Sequence, residues 1–178
     1  MTQTGYFNRL LEMDAYYSSR LRIAEQPGPL RSAAGLLARS GDSWFWLLVL
    51  SLVALLGTPF WRTRALIMIG AILAGAVLVL AIKFTVRRQR PVGEWGGIYR
   101  STDPHSFPSG HATRAAMLAV LALGMGPVWF GLLLLVWAPL VPLARVAMGV
   151  HYVSDVLVGA VLGVILGLLV LWISAPLF

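Results

Sequence analysis

Long uncharged runs are the feature that most limits what this chain can fold into. The longest extends from Ala115 to Ala144 without a charged side chain. It holds about 30 residues, whereas a helix that crosses a membrane needs about 20 mostly apolar ones. Gly124 to Pro127 interrupts the run, and glycine followed by proline is typical of a helix end. We therefore predict two helices here, at about 109–125 and about 128–148.

Three more apolar stretches, 43–60, 65–82 and 156–178, have the same character. Only 12% of the residues are charged, about half the share in soluble domains. The sequence thus predicts an all-α, polytopic membrane bundle of about five transmembrane helices. Pro59 is expected to close the first of them, and Pro139 and Pro142 to kink the fourth.

The first forty residues contain no apolar run, so neither a span nor a secretory signal peptide is expected there. Their apolar side chains recur at helical spacing between charged ones, at Tyr6, Leu10, Met13, Tyr17 and Leu21. This pattern predicts an amphipathic helix on the membrane surface, the alternative being a loosely ordered tail. We expect 1–40 to form this interfacial segment and 41–178 the transmembrane domain, with a short helix at about 30–39.

Charge and cysteine content exclude several classes of function. The net charge of +7 on so apolar a chain suits anionic lipid head groups or a phosphate substrate better than nucleic acid. Cysteine is absent, which excludes disulfides, thiolate metal sites and a cysteine nucleophile.

Two polar islands lie beside predicted helix ends. Lys83 and Arg90 are two helical turns apart and share one face, although basic membrane anchors commonly stand at such a place. Ser109 is a candidate N-cap of the helix that follows, and Gly110 allows a ligand to approach the backbone. His111 would then stand beside free N–H groups that suit a phosphate. A plain helix cap with an incidental histidine is the alternative.

The third island contains Arg145, His151 and Asp155. His151 and Asp155 are four residues apart, so the carboxylate can accept a hydrogen bond from one ring nitrogen and leave the other free to attack. Asp155 could instead be a structural cap. Taken together, the three islands predict a phosphate site with one histidine as nucleophile and the other as acid. No acidic cluster or paired-histidine spacing accompanies them, so no metal and no cofactor are expected.

The motifs Lys-x6-Arg-Pro, Pro-Ser-Gly-His and Arg-x5-His-x3-Asp resemble those of the type 2 phosphatidic acid phosphatase superfamily, which also contains vanadium haloperoxidases. The resemblance covers Lys83 to Asp155 and suggests a short bacterial membrane form. It implies that His151 attacks phosphorus, that Asp155 orients it, and that His111 protonates the leaving alcohol. It further implies that the phosphate is bound by Lys83, Arg90, Ser109, Gly110 and Arg145 without a metal.

There are two departures from the family pattern: five spans are predicted where many membrane members have six, and one motif position differs. Ala144 stands where the family usually has serine, so one hydrogen bond is expected to be missing. The stretch Arg39–Asp42 looks like one found before the first core helix of short members, and we assign it no catalytic role. The loop 92–107, with Glu94, Trp95, Tyr99, Arg100 and His105, is expected to border the site and help to select head groups.

The implied activity is hydrolysis of a lipid phosphate, with phosphatidic acid, phosphatidylglycerophosphate and polyprenyl phosphate or diphosphate as candidates. A lipid phosphotransferase that uses the same intermediate and a non-catalytic scaffold are the alternatives. We expect an inner-membrane protein, and the distribution of basic residues favours a site on the cytoplasmic side. Glycines at positions 159, 163 and 167 are expected to pack within the chain rather than at a dimer seam. The sequence does not indicate the oligomeric state.

Overall fold

The computed structural model describes residues 3–93, 95 and 103–177. Within these ranges the chain forms seven α-helices and no strand, apart from a single bridge between Gln89 and His105. The predicted all-α class is confirmed. The helices are α1 (Gln3–Arg20), α2 (Pro29–Ser40), α3 (Ser43–Leu56), α4 (Pro59–Val86), α5 (Gly110–Met125), α6 (Val128–Ala147) and α7 (Val153–Ser174), and a 3-10 turn at Ala175–Leu177 follows α7.

The helices form a membrane bundle. Among the described residues, α4, α6 and α7 with its terminal turn are long and apolar enough to cross a membrane. A bend of 57° separates α2 from α3, and the two together could form a fourth span. All five predicted helices are present, but α5 has only 16 residues. Large apolar side chains are exposed on the outer helices, as a lipid environment requires, for example Leu56, Val77, Trp129 and Trp172.

One predicted boundary was wrong. We expected Pro59 to close the first apolar helix, but α3 ends at Leu56 and Pro59 begins α4. Proline lacks an N–H group, and the first turn of a helix is where that group has no intrahelical partner. The prediction of a helix break near Pro59 was therefore correct, but the prediction that Pro59 ends the preceding helix was not. The prolines at 139 and 142 both lie inside α6.

The centre of the bundle is the contact between α5 and α7. A Cβ atom on Gly159 would lie 2.6 Å from the Ser109 carbonyl oxygen, and one on Gly163 would lie 2.9 Å from the Thr113 carbonyl carbon. These glycines thus allow the two backbones to touch, within the chain as expected. The Ser109 N–H donates to the Asp155 carbonyl oxygen at 3.0 Å. This contact brings the second and third motifs together.

The N-terminal segment covers the polar end of the bundle. The predicted helix at 30–39 corresponds to α2, whose Ala34 and Ala38 pack with Ala144 and Met148 in a buried apolar cluster. Ala144 therefore lies in surroundings that suit alanine. The predicted amphipathic helix is α1, and its position on a membrane surface stays a prediction. The apolar residues that defined its pattern are all exposed, namely Tyr6, Leu10, Met13, Tyr17 and Leu21.

Candidate active site

The three motifs meet at one cavity of about 230 Å³. Its polar wall includes Lys83, Gly110, His111 and His151, which come from the end of α4, the start of α5 and the loop before α7. The rest of its lining includes apolar helix side chains, among them Ile72, Val79, Leu80 and Met117. The cavity thus joins a cationic, histidine-bearing end to an apolar surface.

His151 lies at the centre of the polar wall and is 1% exposed. Its Nε2 atom is 3.3 Å from Arg90 Nη1, and its Nδ1 atom is 3.5 Å from Asp155 Oδ2. The second distance is longer than a normal hydrogen bond. Burial, and then the positive charges of Arg145, Arg90 and Lys83, hold the pKa of His151 well below its usual range. At neutral pH the ring is therefore uncharged, which is the form that has a lone pair for attack.

Asp155 combines the two roles that the sequence left open. Its Oδ2 atom accepts a hydrogen bond from the Tyr152 N–H at 2.9 Å, as a structural cap does. The same oxygen is the one that faces His151. Its Oδ1 atom accepts a bond from Arg88 Nη1 at 2.7 Å. The carboxylate is fully buried, and these bonds fix its orientation toward the imidazole.

The cations of the site are buried and share a carboxylate. Lys83 Nζ and Arg90 Nη2 both donate to Asp103 Oδ2, the latter at 2.7 Å, and Arg90 Nε donates to the Asp103 carbonyl oxygen at 2.7 Å. Arg145, in the last turn of α6, is 1% exposed. Buried charges are costly without partners, so Asp103 stabilises the motif cations. Sequence reasoning placed no carboxylate among these phosphate-binding residues.

The start of α5 has the predicted form. Ser109 is its N-cap, and the Ser109 Oγ atom accepts a hydrogen bond from the Ala112 N–H at 3.4 Å. Ser109 itself is fully buried, while Gly110 and His111 line the cavity. The start of a helix thus lies at the cavity, a place where an anion is favoured.

His111 has a carboxylate partner that the sequence analysis left without a role. His111 Nε2 is 2.7 Å from Asp42 Oδ1, and Asp42 Oδ2 accepts a bond from Trp44 Nε1 at 3.2 Å. Asp42 belongs to the stretch 39–42, which joins the end of α2 to the start of α3. The pair has the form of an acid–base histidine held by a carboxylate.

Sequence reasoning assigned no role in the site to four charged residues around the motifs: Asp42, Arg88, Asp103 and Arg114. Arg114 lines the cavity and donates to the Gly41 carbonyl oxygen and to Ser43 Oγ. Their partners are distant in the chain, for example 69 positions for Asp42 and His111. The sequence offers only a general indication of these residues, since a charged residue at the edge of an apolar span needs a partner or a function.

The predicted loop 92–107 is only partly described, because Glu94, Tyr99 and Arg100 lie outside the described residues. Trp95 packs on α2, with its ring 5.4 Å from the Arg39 guanidinium and in contact with Gly35. His105 packs edge-on against Phe84 at 5.7 Å between ring centroids. Neither is among the cavity-lining residues, but Asp103 of the same loop is, so the loop borders the site as expected. Within the described ranges, no group of three or more His, Cys, Asp or Glu side chains is placed to hold a metal ion.

Residues 64–177 match the model of the PAP2 superfamily. The chain is 38% identical over 150 residues to decaprenylphosphoryl-5-phosphoribose phosphatase of Mycobacterium tuberculosis, with 83% of this chain and 82% of that protein covered. It is 32% identical over 133 residues to undecaprenyl-diphosphatase of Sulfolobus acidocaldarius, with coverages of 71% and 62%.

A solved structure shows the same fold. It is the transmembrane PAP2 type phosphatidylglycerolphosphate phosphatase from Bacillus subtilis, with a TM-score of 0.77 and 26% sequence identity. The likeness covers 96% of this chain and 89% of that one. It therefore includes the N-terminal helices as well as the motif-bearing bundle.

Proposed function

Because the chain belongs to the PAP2 superfamily and is similar to its membrane phosphatases, we propose that it removes phosphate from a lipid phosphomonoester or diphosphate through a phosphohistidine on His151, without a metal. The observation that carries this proposal is the cavity in which His151 and His111 stand beside Lys83 and Arg90. Such a set supplies a nucleophile, an acid and cations for one phosphate group.

The first chemical step is attack by the uncharged His151. Its Nε2 lone pair forms the bond to phosphorus, and the bond from phosphorus to the lipid oxygen breaks. His111, whose protonated form is favoured by the negative charge of the bound phosphate, passes a proton to that oxygen, so a neutral alcohol leaves. Lys83, Arg90 and Arg145 neutralise the phosphate oxygens, while Asp155 stabilises the charge that develops on the imidazole.

The second step returns the enzyme to its starting form. His111, now uncharged, accepts a proton from water as the water oxygen bonds to phosphorus. The bond between phosphorus and His151 Nε2 then breaks and releases inorganic phosphate. Asp42 holds His111 through both steps, because its Oδ1 atom lies 2.7 Å from Nε2. When substrate binds, the phosphate oxygens must displace the Asp103 carboxylate from Lys83 and Arg90.

The substrate class is a phosphorylated membrane lipid, and polyprenyl phosphates or diphosphates are the first candidates. The apolar wall of the cavity, with Val79 and Met117, can receive a hydrocarbon tail beside the bundle. Two relatives of this chain have polyprenyl-linked substrates in their names. Phosphatidic acid and phosphatidylglycerophosphate also carry a phosphate monoester and are the other candidate substrates.

Phosphate release from a panel of these lipids tests the function. Purified protein in detergent, with EDTA present, is expected to release phosphate from at least one lipid, because the site uses side-chain cations in place of a metal. The preferred lipid defines the substrate. Dependence on added metal, or no release from any member of the panel, would contradict the proposal.

We further place the site at the cytoplasmic face of the inner membrane. Arg62 and Arg64 lie at the start of α4, at the end opposite Lys83, whereas most other arginines belong to the site-bearing end. Basic residues favour the cytoplasmic side. Since α7 runs away from the site, alkaline phosphatase fused after Phe178 is expected to be active. An inactive fusion, together with a fluorescent cytosolic reporter at the same position, would reverse the orientation.

A further inference from the structure

The N-terminal helix contacts the catalytic end of the bundle through a buried carboxylate. Asp14, on α1, has a side chain that is only 13% exposed. Its Oδ2 atom accepts a bond from Arg88 Nη2 at 2.7 Å and another from Ser154 Oγ. Its Oδ1 atom accepts a bond from the Ser154 N–H at 3.1 Å. A helix that the sequence predicts as a membrane anchor thus makes polar contacts with the start of α7.

Arg88 extends this contact to the catalytic pair. One arm of its guanidinium binds Asp14, and the other donates to Asp155 Oδ1 at 2.7 Å. The guanidinium carbon also lies 4.0 Å from the centroid of the Tyr152 ring. A planar guanidinium held at two carboxylates and a ring face has little freedom to turn. Asp14 therefore fixes the group that fixes Asp155.

The first turn of α7 depends on α1 in a second way. Within the turn, the Asp155 carboxylate accepts the N–H of the N-cap residue Tyr152. From outside the turn, Ser18 Oγ accepts the Val153 N–H at 2.9 Å, and Asp14 accepts the Ser154 N–H. These are free donors at a helix start, which otherwise need a local cap. Two side chains of α1 thus help to cap the turn of α7 that carries Asp155.

We propose that Asp14 is a positioning residue for the His151–Asp155 pair and acts through Arg88. The inference rests on the proposed phosphatase function. While Asp14 is charged, Arg88 is shared between two carboxylates. The negative charge of Asp155 is then not fully neutralised by Arg88 and stabilises the imidazolium of His151. Without the Asp14 charge, Arg88 keeps only the acceptors of its Nη1 atom, Asp155 Oδ1 at 2.7 Å and Ser154 Oγ at 2.6 Å, and its guanidinium turns away from the observed geometry. The helix α1 is then part of the catalytic apparatus in addition to any anchoring role.

The test compares Asp14→Asn with Glu12→Gln, a matched loss of charge at an exposed position of the same helix. Asparagine keeps the oxygen that accepts the Ser154 N–H and removes the charge that holds Arg88. We expect Asp14→Asn to lower kcat for p-nitrophenyl phosphate about tenfold and to leave KM within about twofold, because charged hydrogen bonds are the strong ones. Glu12→Gln is expected to match the wild type.

A double-variant cycle separates this role from general destabilisation. In an Arg88→Gln background, Asp14→Asn is expected to change kcat by less than about twofold, because the link it acts through is already lost. A full tenfold loss in that background, or an unchanged kcat in the single variant, would overturn the inference while leaving the phosphatase assignment intact. A wild-type protein inactive on aryl and lipid phosphates alike would overturn the proposed function, and this inference with it.

Discussion

Replacing His151 with alanine is expected to lower kcat for lipid phosphate hydrolysis by roughly 10⁴-fold or more, since it removes the atom that bonds to phosphorus. The loss should be similar for every lipid in the panel, because all of them pass through the same phosphoenzyme. Steady-state phosphate release in detergent measures it.

His105→Ala is the matched control for this variant. His105 is a histidine of the same end of the bundle, but it packs edge-on against Phe84 and does not line the cavity. We expect it to retain kcat within about threefold, as substitutions away from reacting groups usually do. A His151→Ala protein that keeps more than about a tenth of the wild-type rate, when expressed and folded like the control, would show that the nucleophile has been misassigned.

Replacing His111 with alanine is expected to separate the two chemical steps. Loss of the general acid should lower turnover of alkyl phosphates about 10³-fold, because an alkoxide leaves poorly without a proton. An aryl phosphate such as p-nitrophenyl phosphate has a stable anionic leaving group, so its first step needs no acid. Rapid-mixing experiments should then show a burst of nitrophenolate close to one per chain, followed by slow turnover.

The slow phase in that experiment follows from the second role of His111. Without a base to activate water, the phosphoenzyme formed on His151 is expected to accumulate. Asp42→Asn, which leaves His111 in place and alters its partner 2.7 Å away, should reduce both steps by a smaller factor. Equal losses on alkyl and aryl phosphates with no burst would contradict the acid–base role of His111.

The parts of the site that could be predicted from the sequence are those set by short spacings. His151 and Asp155 are four residues apart and Lys83 and Arg90 are seven apart, so each pair stays close in space. The single helix face expected for Lys83 and Arg90 was wrong, because α4 ends at Val86, before Arg90, and α7 likewise begins only at Val153, after His151. Ser109 was recognisable because helix capping depends on the residues just beyond it. The apolar runs predicted the helices themselves, since a bilayer requires that backbone polar groups be satisfied within each span.

The rest depends on how the helices pack. Asp42 reaches His111 across 69 positions, and Asp14 reaches Arg88 across 74. No local pattern specifies such pairs, because the first exists only once the start of α3 meets α5, and the second only once α1 meets the residues that follow α4. Asp103 was not predicted for a related reason. A carboxylate repels a phosphate, so its presence at the site is explained only by its pairing with Lys83 and Arg90. Pro59 was misread because proline suits both a helix end and a helix start.

The central claim is that phosphate is transferred to His151, and a trapping experiment tests it most directly. The His111→Ala protein is mixed with ³²P-labelled aryl phosphate in EDTA, quenched in alkali, which preserves phosphohistidine, and digested for mass spectrometry. The account predicts about one label per chain, on the peptide that contains His151, and no label in the His111→Ala/His151→Ala double variant. A nitrophenolate burst without label on any histidine, or label that persists in the double variant, would contradict it.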